Sequence, residues 1–532
     1  MSSKARSLLI FFVLLIPSFA FVWRNLDMPE FGYLHDDGLQ YLTAKSVAQG
    51  NGYRIQSLPE NPAETKFPPL SSLYLSVIWN LNPNFPANLR EASFFCWATL
   101  VLLLALSWAY FERLGIALWR VVLLVGLLAI NPYMILFGVT PFSEVLFTCF
   151  VLATLLLAER NEIQWMILAG LAASAAYLTR TAGVVLLIAV PAWLWWWRGE
   201  RRNAMAFALT MIPAILAWTL WTRFAMYKTD DATLIYYLDY ARGHSMSVGL
   251  DNLAVVIWKN LDQTLYAIGS LILPKVVDLP VVKILTQVLA VAAISGIVRM
   301  VRKGMMVAYA LFALLSALIL LVWHFPPNER LVLPLLPLVA AGLVTELEQL
   351  ARNIRLAFGH KDRSQRVVAA AFGGGVAVLL AGMLALQCFV TFSFLNDSAD
   401  QKRAKLNDLK QAYTWIAANL PEDARILSYD DPLMFLYTGR QGNYLPLLPR
   451  LWYADDHDKM IQAYRDLPAY CRTRGLGYVY FTSDDPDREV GDEDKQKIAA
   501  VVKANPELVP LFHAGIGTVY KVASPLQAKS FP

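Results

Sequence analysis

Charged side chains are scarce in this sequence. Asp, Glu, Lys and Arg make up 16% of its 532 residues, where a soluble domain carries about a quarter, and 57% of the chain is hydrophobic. That balance excludes a single soluble core and points to many membrane spans. Cysteine is nearly absent: Cys96, Cys149 and Cys388 fall in apolar runs and Cys471 stands alone in the polar tail. No pair is spaced for a disulfide framework or a metal site. CxxC, HExxH and Walker-type glycine loops are also missing. The net charge of +5 is small and gives no support to nucleic-acid binding.

What is present is a series of apolar runs. They lie near 7–23, 92–111, 117–137, 142–158, 163–179, 182–197, 204–222, 283–299, 305–323, 330–347 and 367–390, about eleven spans at roughly 20 residues each. The first, LLIFFVLLIPSFAFV after MSSKAR, has the look of a secretory signal, but with further spans behind it a retained signal-anchor helix is expected. Basic residues test the count. Lys4 and Arg6, Arg113 with Arg120, Arg160, Arg198 with Arg201 and Arg202, Arg299 with Arg302 and Lys303, and Arg352 with Arg355, Lys361, Arg363 and Arg366 fall on alternate sides. This is the positive-inside pattern, and it puts the N-terminus in the cytoplasm. Segments 24–90 and 223–282 then face outward, as does the tail from about 391. WLWWW at 193–197 suits an interfacial aromatic belt.

The tail reads as a separate soluble α/β domain. DLKQAYTWIAANL predicts a helix stopped before Pro421, RILSY a strand, GLGYVYFTS a second, KQKIAAVVKANPEL a helix and GIGTVYKVA a last strand. It has no nucleotide fingerprint, and its fold alone assigns no activity.

HDDGLQY, at 35–41, sets two carboxylates against the membrane. In one reading Asp37 and Gln40 form a capping box. The helix LQYLTAKSVAQ then ends at Gly50, Leu39 and Leu42 face the bilayer, Gln40 and Lys45 face water, and Asp36 is a solvated loop residue. In the other, a carboxylate fixed at a helix start accepts a proton from a hydroxyl or amine. A helix N-terminus favours the ionised acid, while burial and a neighbouring carboxylate oppose it. Further ionisable residues sit at the outward span ends: Glu144 in TPFSEVLF, Arg180 in YLTRTAGVV and Arg330 in HFPPNERLVLPLLP, with Lys66 of TKFPPL in the first outward loop. Each alone can snorkel to the headgroups. Together, acids and arginines on one leaflet suit a phospholipid-linked donor and a deprotonated acceptor.

DDGLQYLTAKSVAQGNGY, TKFPPLSSLYLSVIW, SEVLF, YLTRTAG and NERLVLPLLP, in that order over roughly 30–350, resemble bacterial glycosyltransferases of the GT-C fold. The arrangement is similar to the protein O-mannosyltransferases and the lipid A aminoarabinose transferases, and WIAANLPED resembles the start of the extracytoplasmic domain appended to such enzymes. The resemblance implies a polytopic α-helical module over 1–390, with about 11 transmembrane helices, and an extracytoplasmic α/β domain over 391–532. It also implies transfer of a sugar from a polyprenyl phosphate to a lipid, glycan or protein acceptor, with inversion, at the outer face of a bacterial inner membrane.

By register with the family's acidic motif, Asp37 with Tyr41 four residues on takes the position of the base. Gly38 replaces the family's Glu and the second acid precedes at Asp36, so the division of labour between the two acids stays open. The resemblance puts Arg330, Arg180 and Lys66 near the donor phosphate, and Glu144 and Tyr41 in acceptor or metal positioning. No cofactor is required; a divalent cation is permitted. Rival readings are an O-antigen ligase or polymerase, a lipid-linked-sugar transporter or flippase, for which no internal repeat is visible, and a non-catalytic anchor presenting the tail.

Overall fold

The computed structural model describes residues 3–523, apart from 33, 246–247, 250–251, 278, 359–362, 446, 448 and 487–489. The apolar first run forms α1 (Ser3–Arg24). The first long loop carries α2 (Asp36–Ala48) and α3 (Leu70–Leu81). Apolar helices follow: α4 (Leu89–Arg113), α5 (Leu118–Ala129), α6 (Pro132–Gly138), α7 (Ser143–Ala158), α8 (Ile163–Thr179), α9 (Leu186–Ala192) and α10 (Arg201–Ala225). A second long loop holds α11 (Ala232–Leu238) and α12 (Leu253–Ser270). Then come α13 (Pro280–Arg302), α14 (Val307–Leu321), the short α15 (Glu329–Val332), α16 (Leu336–Phe358), α17 (Arg363–Phe389) and α18 (Leu395–Asn419).

Among the described residues five helices are long and apolar enough to cross a membrane, or six if α5 and α6, bent by 62°, count as one span. The eleven spans expected from hydropathy are therefore not all present as long helices. The runs at 142–158, 163–179, 182–197 and 305–323 form shorter apolar helices. Local chemistry also breaks the run at 117–137, where hydropathy sees nothing. Asn131 ends the α5 segment and caps α6, its side chain accepting from the Met134 N–H at 3.1 Å, with Pro132 at the first helical position. The apolar stretch at 264–274 forms the last two turns of α12 and the chain beyond it.

The C-terminal unit contains β1 (Ile426–Ser428), α19 (Asp431–Thr438), β2 (Gly442–Asn443), β3 (Tyr478–Thr482), β4 (Leu508–Ala514) and β5 (Gly517–Val522). The sheet order is β2-β1-β3-β5-β4, parallel from β2 through β3 and antiparallel at β5 and β4. Period-2 alternation along β3 covers both faces. Val479 and Phe481 join Ile498 and Met460 in one core. Tyr480 joins the other. The helix expected over 495–508 ends at Lys503, because Pro506 cannot continue it, and Leu508 opens β4 instead. Cys471, read as isolated in a polar tail, is fully buried, and all four cysteines are free.

The second core joins distant parts of the chain. Tyr480, Val519 and Ile426 of the sheet share it with Leu406, Tyr413 and Ile416 of α18 and with Leu39, Leu42, Ile78 and Trp79 of α2 and α3. Each such side chain stabilises by about 1.5–3 kcal/mol when fully buried, so α2 is held under the C-terminal unit. This corrects the amphipathic reading of α2. Leu39 and Leu42 do not face lipid, Gln40 is buried and accepts from the Ser71 hydroxyl at 2.8 Å, and Lys45 lies between the rings of Trp79 and Phe435.

Candidate active site

The helix start at HDDGLQY differs from a capping box. Helix α2 begins at Asp36, His35 occupies the N-cap position, and no side chain caps it. Asp37 instead reaches back along the chain, its Oδ2 accepting from the Gly32 N–H at 2.7 Å. Gly38 is where α2 meets the C-terminal unit: a Cβ there would stand 3.5 Å from Pro432 Cβ.

Three other segments bring charge to this point. Asn328 accepts from the Arg330 N–H at 3.1 Å, capping α15 and presenting Arg330 in its first turn. Glu144 lies in the first turn of α7, where the helix dipole favours an acid. Arg180 follows the last residue of α8 in extended conformation. The chain reverses tightly just beyond it: a Cβ on Gly183 would fall 2.6 Å from the Tyr177 nitrogen, so only glycine fits.

The side chains form one continuous network. Arg330 Nη1 is 2.8 Å from Asp36 Oδ2, and its Nε contacts Glu144 Oε1. Arg180 Nη1 is 2.5 Å from the same Glu144 oxygen and 3.0 Å from the Ser143 hydroxyl. The Arg330 guanidinium also lies over the Phe142 ring, 4.6 Å from its centroid. Glu144 is almost wholly enclosed, whereas Asp36 keeps 23% of its side chain exposed. Lys66 is buried, its ammonium 4.1 Å from the Tyr236 ring centroid. The loop is tied at that point by Glu64, which accepts from the backbone N–H groups of Lys66 and Phe67 at 2.6 and 3.0 Å. Burial pushes the Glu64 carboxyl up and the Lys66 ammonium down.

The two adjacent acids are driven apart. Burial pushes Asp37 up to about 6, against the hydrogen bonds from the Gly32 and Gly38 N–H groups. Burial acts on Asp36 too, but the charges of Arg330, Lys66 and His35 outweigh it and hold that carboxyl at about 2. Asp37 Oδ1 is buried with no hydrogen-bond partner among the described residues. A pair of neighbouring carboxylates so separated is suited to two different tasks.

Of the residues singled out in the sequence, the structure brings Asp36, Arg330, Glu144 and Arg180 into contact, with Asp37 and Lys66 beside them. Tyr41 is the exception. It is fully buried, its ring packs on Phe31 and Trp79, and its hydroxyl lies 3.5 Å from the Asn88 carbonyl. Its side chain thus packs in the core shared by α2, α3 and the C-terminal unit. No group of three or more Asp, Glu, His or Cys among the described residues is arranged to hold a metal ion, and Arg330 fills the space between Asp36 and Glu144. His35, Tyr237 and Asp431 meet next to the acids; of the three only His35 lies in a stretch, HDDGLQY, that stands out in the sequence.

No family model and no curated protein matches the sequence. Solved structures do. ArnT from Cupriavidus metallidurans bound to undecaprenyl phosphate aligns over 99% of both chains at 11% identity and a TM-score of 0.56. The Archaeoglobus fulgidus oligosaccharyltransferase tethered with an acceptor peptide aligns over 99% of this chain and 75% of its own, at 12% identity and a TM-score of 0.58. The same organism's AglB, in complex with an inhibitory peptide and a dolichol-phosphate, aligns over the same shares at 12% identity and a TM-score of 0.57. The chain has the GT-C fold. Within that fold the charged network lies where α2, α7, α8 and α15 converge, beneath the C-terminal unit.

Proposed function

We propose that the chain is an integral-membrane inverting glycosyltransferase that moves a hexose or pentose from a polyprenyl-phosphate donor to a lipid, glycan or protein acceptor. The observation that carries this reading is the junction of Asp36, Arg330, Glu144 and Arg180, with Lys66 alongside. Guanidinium forks held by carboxylates at a membrane-embedded helix end suit a phosphate monoester or diester. The lipid phosphates bound by ArnT and AglB add to the reading.

In this mechanism the acceptor oxygen or nitrogen attacks the anomeric carbon from the face opposite the phosphate. The glycosidic bond forms as the bond from that carbon to the phosphate oxygen breaks, inverting the centre. The acceptor's proton passes to Asp37. The polyprenyl phosphate departs with its added charge held by Arg330, Arg180 and Lys66, the electrostatic contribution on which such reactions lean most. Asp37 is assigned the proton by its register with the acidic motif, and burial makes it the more basic of the two acids. Asp36, ion-paired to Arg330, orients that guanidinium, and Glu144 fixes the spacing of the two arginines. A single carboxylate in line suffices for inversion. An apolar groove of about 620 Å³, lined by Trp193, Trp196, Ile294, Leu314 and Leu335, suits a prenyl chain. The site is assigned to the outer face of a bacterial inner membrane, with the N-terminus cytoplasmic, residues 1–390 as the membrane module and 391–532 as the periplasmic domain.

The test is direct. Membranes carrying the protein are incubated with radiolabelled polyprenyl-phosphate monosaccharides, and label is followed into lipid, glycan and protein fractions. Transfer accompanied by release of polyprenyl phosphate supports the reading; label that stays on every donor rejects it.

A further inference from the structure

The residue before the two acids has a costly backbone. His35 has φ +63° and ψ −48°, and the Asp36 N–H donates to the Leu34 carbonyl at 2.7 Å. This is a γ-turn of the rare, strained hand. Glycine takes positive φ without penalty, yet the position holds histidine. Strain of this kind persists only where the surroundings impose it, and it gathers at functional sites.

The surroundings are two side chains from far along the chain. His35 Nε2 lies 2.8 Å from the Tyr237 hydroxyl on α11 and 3.3 Å from Asp431 Oδ1 at the start of α19. The Tyr237 hydroxyl donates to that same carboxylate oxygen. Tyr237 and Asp431 are fully enclosed and His35 is 8% exposed, so solvent does not compete for these bonds. The ring of His35 also meets Tyr444 of the C-terminal unit at 5.7 Å. The first long loop, the second long loop and the C-terminal unit are thus fastened together at the residue that sets the direction of Asp36 and Asp37.

We propose that His35, Tyr237 and Asp431 are positioning residues, a clasp through which the second loop and the C-terminal unit impose the strained turn and so aim Asp36 at Arg330 and Asp37 at the acceptor. The C-terminal unit is then a working part of the active site and not an appended module. This rests on the glycosyltransferase reading for its kinetic consequences, though not for its structural ones. Geometry errors of about 1 Å at a reacting group cost on the order of a hundredfold in rate, so loosening the turn should lower turnover while leaving donor binding by Arg330, Arg180 and Lys66 in place.

Full-length variants in membranes test this. His35→Gly relieves the backbone strain but removes the ring. It should cut turnover by at least about tenfold, with the KM for donor changed by less than about twofold. A histidine that merely occupied the turn would make this variant as active as the wild type or more so, and that result overturns the proposal. His35→Gln, which restores a donor near the position of ring Nε2, should recover most of the rate. Tyr237→Phe and Asp431→Asn should each lower turnover, and the double variant should be no worse than the worse single, since both act through one clasp. Hydrogen exchange gives an activity-free readout. Amides of residues 34–42 should exchange faster in His35→Gly and Tyr237→Phe, with α13 and α16 unchanged. If the wild type transfers no sugar, the functional reading fails and exchange alone decides the clasp. If it transfers sugar and the variants match it in turnover and exchange, the clasp fails while the function stands.

Discussion

Arg330 Nη1 stands 2.8 Å from Asp36 Oδ2, across 294 residues of chain. The same guanidinium contacts Glu144 through Nε, so one side chain ties the first long loop to α7 and fixes the cationic side of the site. Arg330→Ala should therefore raise the KM for lipid donor more than that for acceptor. It should also destabilise the protein by about 1–3 kcal/mol, the cost of a buried charged group losing a hydrogen-bond partner, because Glu144 keeps only Arg180. Donor titrations and thermal unfolding in detergent check both. Arg330→Lys should not rescue donor binding, since an ammonium cannot reproduce the two-sided fork.

The contrast between the adjacent acids predicts a pH profile. Asp37 is pushed up to about 6 by burial, and Asp36 is held at about 2 by the cations that overcome its burial. A base must be deprotonated to act. Activity should therefore be level at alkaline pH and fall by roughly tenfold per pH unit below about 6. Asp36 stays ionised throughout that range and adds no limb. A kcat/KM profile flat down to the ordinary carboxylate range would exclude Asp37 as the titrating base.

Gly38 packs against α19 of the C-terminal unit. A Cβ would meet Pro432 at 3.5 Å, ordinary contact distance, so Gly38→Ala should be tolerated with activity within about twofold of wild type. Gly38→Glu has to displace α19, and overpacking of this kind costs about 1–3 kcal/mol. Thermal unfolding and transfer assays should show both stability and turnover reduced. A Gly38→Glu protein as stable as the wild type would mean that α19 is not the obstacle.

Much of the site was legible in the sequence because charge is so sparse. Glu144, Arg180 and Arg330 were visible as ionisable residues at the ends of apolar runs, and the structure joins them to Asp36. The order of the motifs carried the fold. Span boundaries were less legible, since Asn131 and Pro132 interrupt a run whose hydropathy is unbroken. The surroundings of α2 were not legible at all. LQYLTAKSVAQ has the same apolar content whether a bilayer or a protein domain covers it, and only the shared core with Tyr413 and Tyr480 decides. Tyr41 kept the family's spacing but turns into that core. The clasp was hidden for another reason: His35, Tyr237 and Asp431 meet across 202 and 396 residues, and none of them is unusual in its local sequence.

In the proposed reaction Asp37 takes the acceptor's proton while the arginines hold the departing phosphate. Single-turnover transfer from a labelled polyprenyl-phosphate sugar, comparing wild type with Asp37→Asn at matched expression and with donor binding measured in parallel, tests it most directly. Asp37→Asn should keep donor binding intact and lower the rate by roughly a hundredfold or more, the lower end of what a positioned general base contributes. An Asp37→Asn protein that turns over at the wild-type rate would contradict it.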